Sequence, residues 1–272
     1  MVAISHQKVA KTFPSATSTG ARRFTGKTAI IAGASANVGR ALAELLAEEG
    51  ADIVVHYNSA NKLAQAEETA VAVRKRGREA LVLQADLTKP AQATVLFDAA
   101  IAKFGKVDIL INTVGKIIRK PLAEFEEADF DDLFDVNAKA AFFLLKEASK
   151  KLADDGRILS FVTTMVAAFA PTYAGYAGSK APLEHFSKAL AKELGSRGVT
   201  VNCVAPGPLD TSFFYPAESD ENIAWLKSMS IDGGIGNIGD ITGLVLYLVS
   251  PEARWMTGTT SYINGGIVSP IN

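Results

Sequence analysis

From Lys27 onward, short unbroken apolar runs alternate with segments whose apolar residues return every three or four positions. A short apolar run between turn signals marks a strand buried on both faces. The longer spacing marks a helix with one buried face. KTAIIA therefore predicts a first strand, and Leu42, Leu45 and Leu46 predict a helix over 38–49 that stops at Gly50. ADIVVHY predicts a second strand, followed by a helix over 61–76 that closes at Gly77. EALVLQA predicts a third, ending at Asp86, with a helix over 91–104 that closes at Gly105. VDILINT is the fourth strand, and one long helix is expected over 126–153. GRILSFVTT is the fifth strand, then a helix over 176–196. VTVNCVA is the sixth, then a helix over 238–249, and TSYING is the seventh. This alternation predicts an α/β protein with a single parallel sheet of about seven strands and helices on both faces. No second domain and no internal repeat is read.

The chain has 272 residues, 48% of them hydrophobic, enough for one sizeable core. Its 28 Lys and Arg nearly balance 29 Asp and Glu, for a net charge of -1. Nothing in that balance points to nucleic acid or to a membrane surface. No apolar run reaches the roughly 18 residues of a membrane span. The one cysteine, Cys203, has no intrachain disulfide partner and reads as a buried thiol of a cytoplasmic protein. His56 and His185 lack metal-ligand spacing, so a metal-free site is expected. Residues 1–25 stand apart: they hold Lys8, Lys11, Arg22 and Arg23, and the first acid in the chain is Glu44. They read as a basic extension ahead of a domain over 26–272, with an organelle transit peptide as the sharper alternative.

AGASANVG occupies the turn after the first strand. A dinucleotide turn ordinarily carries three glycines. Here Gly33 can make the tight turn and Gly39 can let the helix pack closely, but Asn37 stands where another glycine is usual. Asparagine is one of the few residues that tolerate left-handed backbone angles. The helix starting near Val38 would aim free N–H groups at a pyrophosphate. By itself the turn could equally be a plain strand–helix connection.

Further chemistry lies in YAGYAGSK. Tyr176 and Lys180 sit at i and i+4 and share a helix face. An ammonium near a phenol lowers the phenol pKa, which would make Tyr176 a general acid for a carbonyl or a general base for an alcohol. Thr163 ends the fifth predicted strand, where its hydroxyl could bond the reacting oxygen; Thr164 is its rival. Asn137, in DVNAKAAFF, is polar on an otherwise apolar helix face. It is either a helix-bending residue or an anchor for a water chain to Lys180.

Taken in order, AGASANVG, ADLT, NTVG, VNA, YAGSK and APGPLDT resemble the short-chain dehydrogenase/reductase family from Gly26 to the C-terminus. Within it the chain looks closest to 3-oxoacyl-carrier-protein-reductase-like members. The resemblance implies a Rossmann-type doubly wound sheet, a nicotinamide cofactor and carbonyl–alcohol chemistry. It implies Tyr176 as acid/base, Lys180 holding the nicotinamide ribose and tuning Tyr176, Thr163 in the place of a serine, and Asn137 supporting a proton relay. Gly33, Ser35, Asn37, Val38 and Gly39 would border the pyrophosphate. Asp86 and Leu87 would contact adenine, and Asn112 would lie under the adenosine ribose with Val114 and Gly115 beside it. Pro206, Gly207 and Thr211 would embrace the nicotinamide end. A homotetramer or homodimer is also implied. The chain departs from the family pattern at Ala32, where a threonine with a turn-stabilising hydroxyl is usual, at Asn37 and at Thr163, and NNAG has become NTVG. Two alternatives stand beside this reading: a nucleotide-binding protein without turnover, and an enzyme acting on imine or enoyl substrates.

NAD sites usually carry an acid at the end of the second strand. HYNSANK has none there, and Asn58, Ser59 and Lys62 could instead meet a 2′-phosphate. NADP(H) is therefore favoured over NAD(H), with Arg40 a candidate for the arginine that many NADP members carry in the turn. The segment after APGPLDT reads as a lid. Phe213, Phe214, Tyr215 and Trp225, with Met165, Phe169 and Tyr173, would line an apolar pocket for a small apolar carbonyl or alcohol.

Overall fold

The computed structural model describes residues 22–168 and 170–268. Among them, seven parallel strands form one sheet: β1 (Thr28–Ala32), β2 (Asp52–Tyr57), β3 (Ala80–Gln84), β4 (Ile109–Asn112), β5 (Arg157–Phe161), β6 (Thr200–Pro206) and β7 (Thr260–Ile263). Their order across the sheet is β3-β2-β1-β4-β5-β6-β7. The register keeps the carboxyl ends level. Ala32 pairs with His56 on one side and Asn112 on the other, and Asn112 pairs with Ser160. Chain order reverses between β1 and β4, so the loops that follow them diverge and open a crevice.

Successive residues of each strand feed opposite layers, as the two-residue strand period requires. Ile31, Ile53, Val55 and Ile111 belong to one core, with Leu42 and Leu46 of α1 (Asn37–Glu48), Ala70 and Val73 of α2 (Leu63–Lys75), and Val245. Ile30, Val54, Leu110 and Ile158 belong to the other, with Leu96 of α3 (Pro90–Phe104), Leu144 and Leu190. Both faces are covered, which is why the strands read as apolar runs without alternation. The domain reading began at Gly26, yet Phe24 just before it is 1% exposed within the first core. Residues 1–21 of the proposed extension lie outside the described residues.

Two helices differ from their predicted form. The stretch expected as one helix over 126–153 is α4 (Glu127–Phe134), a π-helical turn (Asp135–Lys139) and α5 (Ala140–Lys151). Asn137 sits inside that wide turn, a feature that often accompanies functional sites. The helix expected over 176–196 is α6 (Ala174–Lys180) and α7 (Pro182–Glu193). Pro182 has no N–H to continue the ladder, so the axis breaks there. The segment read only as a lid contains α8 (Asp220–Met229), capped by the Ser219 side chain and acidic in its first turn. It is closed at its base by the pairing of Leu209 with Gly236. The last helix is α9 (Ile238–Leu248). Among the described residues no helix is long and apolar enough to cross a membrane.

Candidate active site

The turn after β1 is built by close contact. Gly33 has φ 87° and Asn37 φ 49°, so Asn37 does adopt the left-handed conformation expected of a glycine surrogate. A Cβ added to Gly39 would lie 2.2 Å from the Gly33 carbonyl oxygen, which leaves room only for glycine. Thr113 fills the space beneath both glycines. Its hydroxyl donates to the Ala32 carbonyl at 2.8 Å, so a hydroxyl the resemblance expected at position 32 is supplied from the end of β4. The altered NTVG sequence thus supports the turn from below. On its other side the Gly33 N–H donates to Nδ1 of His56 at 3.0 Å, and Nε2 of His56 lies 2.8 Å from the Ala85 carbonyl. That pairing requires the neutral ring with its proton on Nε2. Burial pushes the His56 pKa down to about 4.

A cleft of about 400 Å³ runs from this turn across the carboxyl ends of the strands. It is bordered by Gly33, Ser35, Asn37, Val38 and Gly39, then by Asn58 and Lys62, then by Val114 and Gly115. Thr163, Tyr176 and Lys180 line it, as do Pro206, Gly207 and Thr211. Other expected residues do not line it. Asp86 accepts from the Thr88 N–H and hydroxyl and braces the turn that leads into α3, while Leu87 is buried in the core. Asn112 is buried and its Oδ1 accepts from the Val114 N–H, so it shapes the loop beneath the cleft. Ser59 bonds Asn58 and Asn61. Arg40 is held by Glu44 at 3.1 Å and Glu68 at 2.9 Å on the surface of α1 and α2, and leaves Lys62 as the cation at this end of the cleft.

In the cleft, the Thr163 side chain faces the Tyr176 phenol closely enough to lower its pKa, whereas the Thr164 hydroxyl donates to the Ala205 carbonyl at 3.2 Å. Thr163 is therefore the hydroxyl that shares a site with the phenol. Lys180 donates to the carbonyls of Val114 at 2.9 Å and Phe161 at 3.0 Å, bridging the loop after β4 to the end of β5. The expectation that Lys180 lowers the Tyr176 pKa is not met in this arrangement. Burial dominates and pushes Tyr176 up to about 12, while the ammonium spends its bonds on two carbonyls. Burial likewise pushes Lys180 down to about 8. Asn137 does not border the cleft. It accepts from the Lys116 N–H and donates to the Lys116 carbonyl and to Ser179, each at 2.8 Å. Ser179 in turn donates to the Tyr176 carbonyl at 2.9 Å. Asn137 thus ties the loop after β4 to the helix that carries Tyr176 and Lys180.

Beyond Tyr176 the walls are apolar: Ile117, Val162, Met165, Phe213, Phe214 and Leu226, with Tyr173. Tyr215 and Trp225, expected here, are half exposed and face elsewhere. Phe169 lies outside the described residues. Cleft residues that escaped the sequence reading include His56, Thr113, Ile117, Val162, Glu218 and Leu226. Each owes its place to partners remote in the chain. Only Thr113, as the departure from NNAG, carried a signal that could have flagged it.

Residues 33–268 match the family model described as enoyl-(acyl carrier protein) reductase. The chain is 37% identical over 257 residues to the NADPH-dependent aldehyde reductase-like protein, chloroplastic, of Arabidopsis thaliana, covering 89% of this chain and 94% of that one. It is 37% identical over 254 residues to a short-chain type dehydrogenase/reductase of Picea abies, covering 89% and 93%. A solved structure from Burkholderia cenocepacia, of a protein described as a dehydrogenase with bound NADP, superposes with a TM-score of 0.89 at 46% identity. That match covers 92% of this chain and 97% of the other.

Proposed function

This chain belongs to the short-chain dehydrogenase/reductase family, and on that premise we propose that it is an NADP(H)-dependent oxidoreductase interconverting a small apolar ketone or aldehyde and its alcohol. The observation that carries this reading is that Thr163 and Tyr176 line one cleft with a strand–helix turn built for close backbone approach.

The residues fit a nicotinamide dinucleotide. Gly39 leaves no room for a side chain, so the start of α1 lies against the turn with its first N–H groups available to a pyrophosphate. Ser35, Asn37 and Val38 border that place. Asn58 and Lys62 would meet a 2′-phosphate, with no acid at the end of β2 to repel it. Val114, Gly115, Pro206, Gly207 and Thr211 would flank the nicotinamide half. When bound, the nicotinamide supplies or accepts the hydride.

The chain's own groups then handle the proton. The Tyr176 hydroxyl gives its proton to the carbonyl oxygen in reduction and takes one from the alcohol in reverse. The Thr163 hydroxyl holds the reacting oxygen within reach of Tyr176. Lys180, fixed by two carbonyls, places a positive charge beside the site, and Asn137 holds Tyr176 and Lys180 in register. Burial keeps the phenol protonated at neutral pH, the form that the acid role in reduction requires.

One observation supports a free carbonyl over an acyl-carrier substrate. The cations of the loop after β4 are engaged as Lys116–Asp132, Arg119–Glu218 and Lys120–Asp129, leaving little basic surface for an acidic carrier. A homotetramer or homodimer belongs to the same reading. Phe142, half exposed, forms an apolar groove with Phe143 and Phe186 on α5 and α7 that no described residue covers.

The test is a side-by-side titration of the purified protein with NADPH and NADH, followed by a panel of aldehydes and ketones. Tight NADPH, weaker NADH and NADPH-linked loss of a carbonyl are expected. Binding of neither cofactor would sink the reading.

A further inference from the structure

The apolar end of the cleft contains one acid among the described residues, Glu218, and its side chain is only 2% exposed. Three partners hold it. The Arg119 guanidinium donates to Oε2, the Tyr173 hydroxyl donates to Oε1 at 2.6 Å, and the Asn222 amide donates to Oε2. Arg119 also donates to the Thr172 hydroxyl at 3.0 Å and lies 4.3 Å above the centre of the Tyr173 ring. The Tyr173 ring centroid is 6.5 Å from that of Tyr176. Three separate stretches therefore meet at one carboxylate: the loop after β4, the residues leading into α6, and the segment that carries α8.

Removing one partner of a buried ion pair leaves the other charged and uncompensated, so such a pair holds its elements together tightly. Burial holds the Tyr173 hydroxyl above its ordinary value, and it remains a donor to Glu218 at neutral pH. Phe214 and Leu226, which wall the cleft, lie on either side of Glu218 in the chain. Whatever fixes Glu218 fixes those walls.

We infer that Glu218 is a positioning residue for substrate: with Arg119 and Tyr173 it clasps the α8 segment against the wall beside Tyr176 and sets the depth and shape of the substrate seat. The inference rests on the proposed function only in treating this end of the cleft as the substrate side. The clasp also occupies the Arg119 guanidinium, so an anionic substrate tail finds no free cation there.

Trp225 lies on α8 and is 41% exposed, while Trp255 is 90% exposed and does not line the cleft. A Trp255→Phe background makes Trp225 the sole tryptophan of the chain. In that background, acrylamide quenching of Trp225 is compared for Glu218, Glu218→Gln, Arg119→Met and Arg119→Lys. Quenching should rise about twofold in Glu218→Gln and Arg119→Met as α8 loosens, with Arg119→Lys close to the parent. For the carbonyl that the parent reduces best, KM should rise about tenfold in the first two with a smaller change in kcat, and the NADPH Kd should hold. Unchanged quenching overturns the clasp. So does an NADPH Kd that weakens as much as KM, because the effect would then be on the whole site. A protein that binds no cofactor would defeat the proposed function, while the Trp225 measurement would still decide the clasp.

Discussion

The side-chain oxygen of Asn37, in the turn after β1, accepts a hydrogen bond from the Ser212 hydroxyl, in the loop after β6, at 3.1 Å. The two residues face each other across the mouth of the cleft, and Asn37 makes this contact with φ at 49°. One residue therefore supplies both a glycine-like backbone and a link to the far rim.

The backbone role is the larger one. Asn37→Gly should leave the NADPH Kd within about threefold, because glycine adopts the same angles freely. Asn37→Val should lose roughly 1–2 kcal/mol of stability, since a β-branched side chain resists positive φ. Thermal melts and cofactor titrations of the two variants check this. Loss of binding in Asn37→Gly would make the amide a direct ligand.

Tyr176→Phe should lower kcat about a hundredfold or more while NADPH affinity stays within about twofold. The ring still fills its place beside Tyr173, and only the proton is lost. Equal losses in turnover and cofactor affinity would contradict the acid/base role.

Lys62 borders the cleft near Asn58, and Arg40 is committed to Glu44 and Glu68. Lys62→Ala should weaken NADPH about tenfold and leave NADH nearly unchanged, with a shallower salt dependence. Equal weakening of both cofactors would remove Lys62 from 2′-phosphate recognition.

Lys180 is pushed down to about 8 by burial, so it is charged below that pH and neutral above it. For the free enzyme, kcat/KM for carbonyl reduction should be level at neutral pH and fall above pH 8 as the ammonium is lost. Tyr176, at about 12, stays protonated throughout this window. A profile level through pH 9.5 would separate Lys180 from the reaction.

His56 is neutral in the fold, with its pKa at about 4, against 6.5 in an unfolded chain. The unfolded state therefore binds the extra proton first as the pH falls. Stability is full above pH 6.5 and is lost between 6.5 and 4, by roughly 3 kcal/mol from this group. His56→Asn, which keeps an acceptor for the Gly33 N–H, should flatten that part of the acid-unfolding curve. Denaturant melts at pH 7 and pH 4.5 measure it, and equal slopes in both proteins would contradict the assignment.

Much of this molecule is legible in local pattern. The apolar runs became the seven strands, because a strand buried on both faces must be apolar at every position, and that demand is written residue by residue. Gly33 and Asn37 announced the turn, since positive φ is open to few residue types. Tyr176 and Lys180 announced themselves by helical spacing. Contacts across the sheet were not legible. Pairing of Arg119 with Glu218, of Thr113 with the Ala32 carbonyl, and of Lys180 with Val114 and Phe161 depends on where distant strands end. Direction was hidden too: Asp86, Leu87 and Asn112 sit just past or at the strand ends as expected, yet they brace a turn, fill the core and brace a loop. The pKa of Tyr176 belongs to the same class. Spacing put a lysine near the phenol, but only packing decided that desolvation would outweigh that charge. Periodicity and turn chemistry act between neighbours in the chain, whereas burial and charge pairing act between neighbours in space.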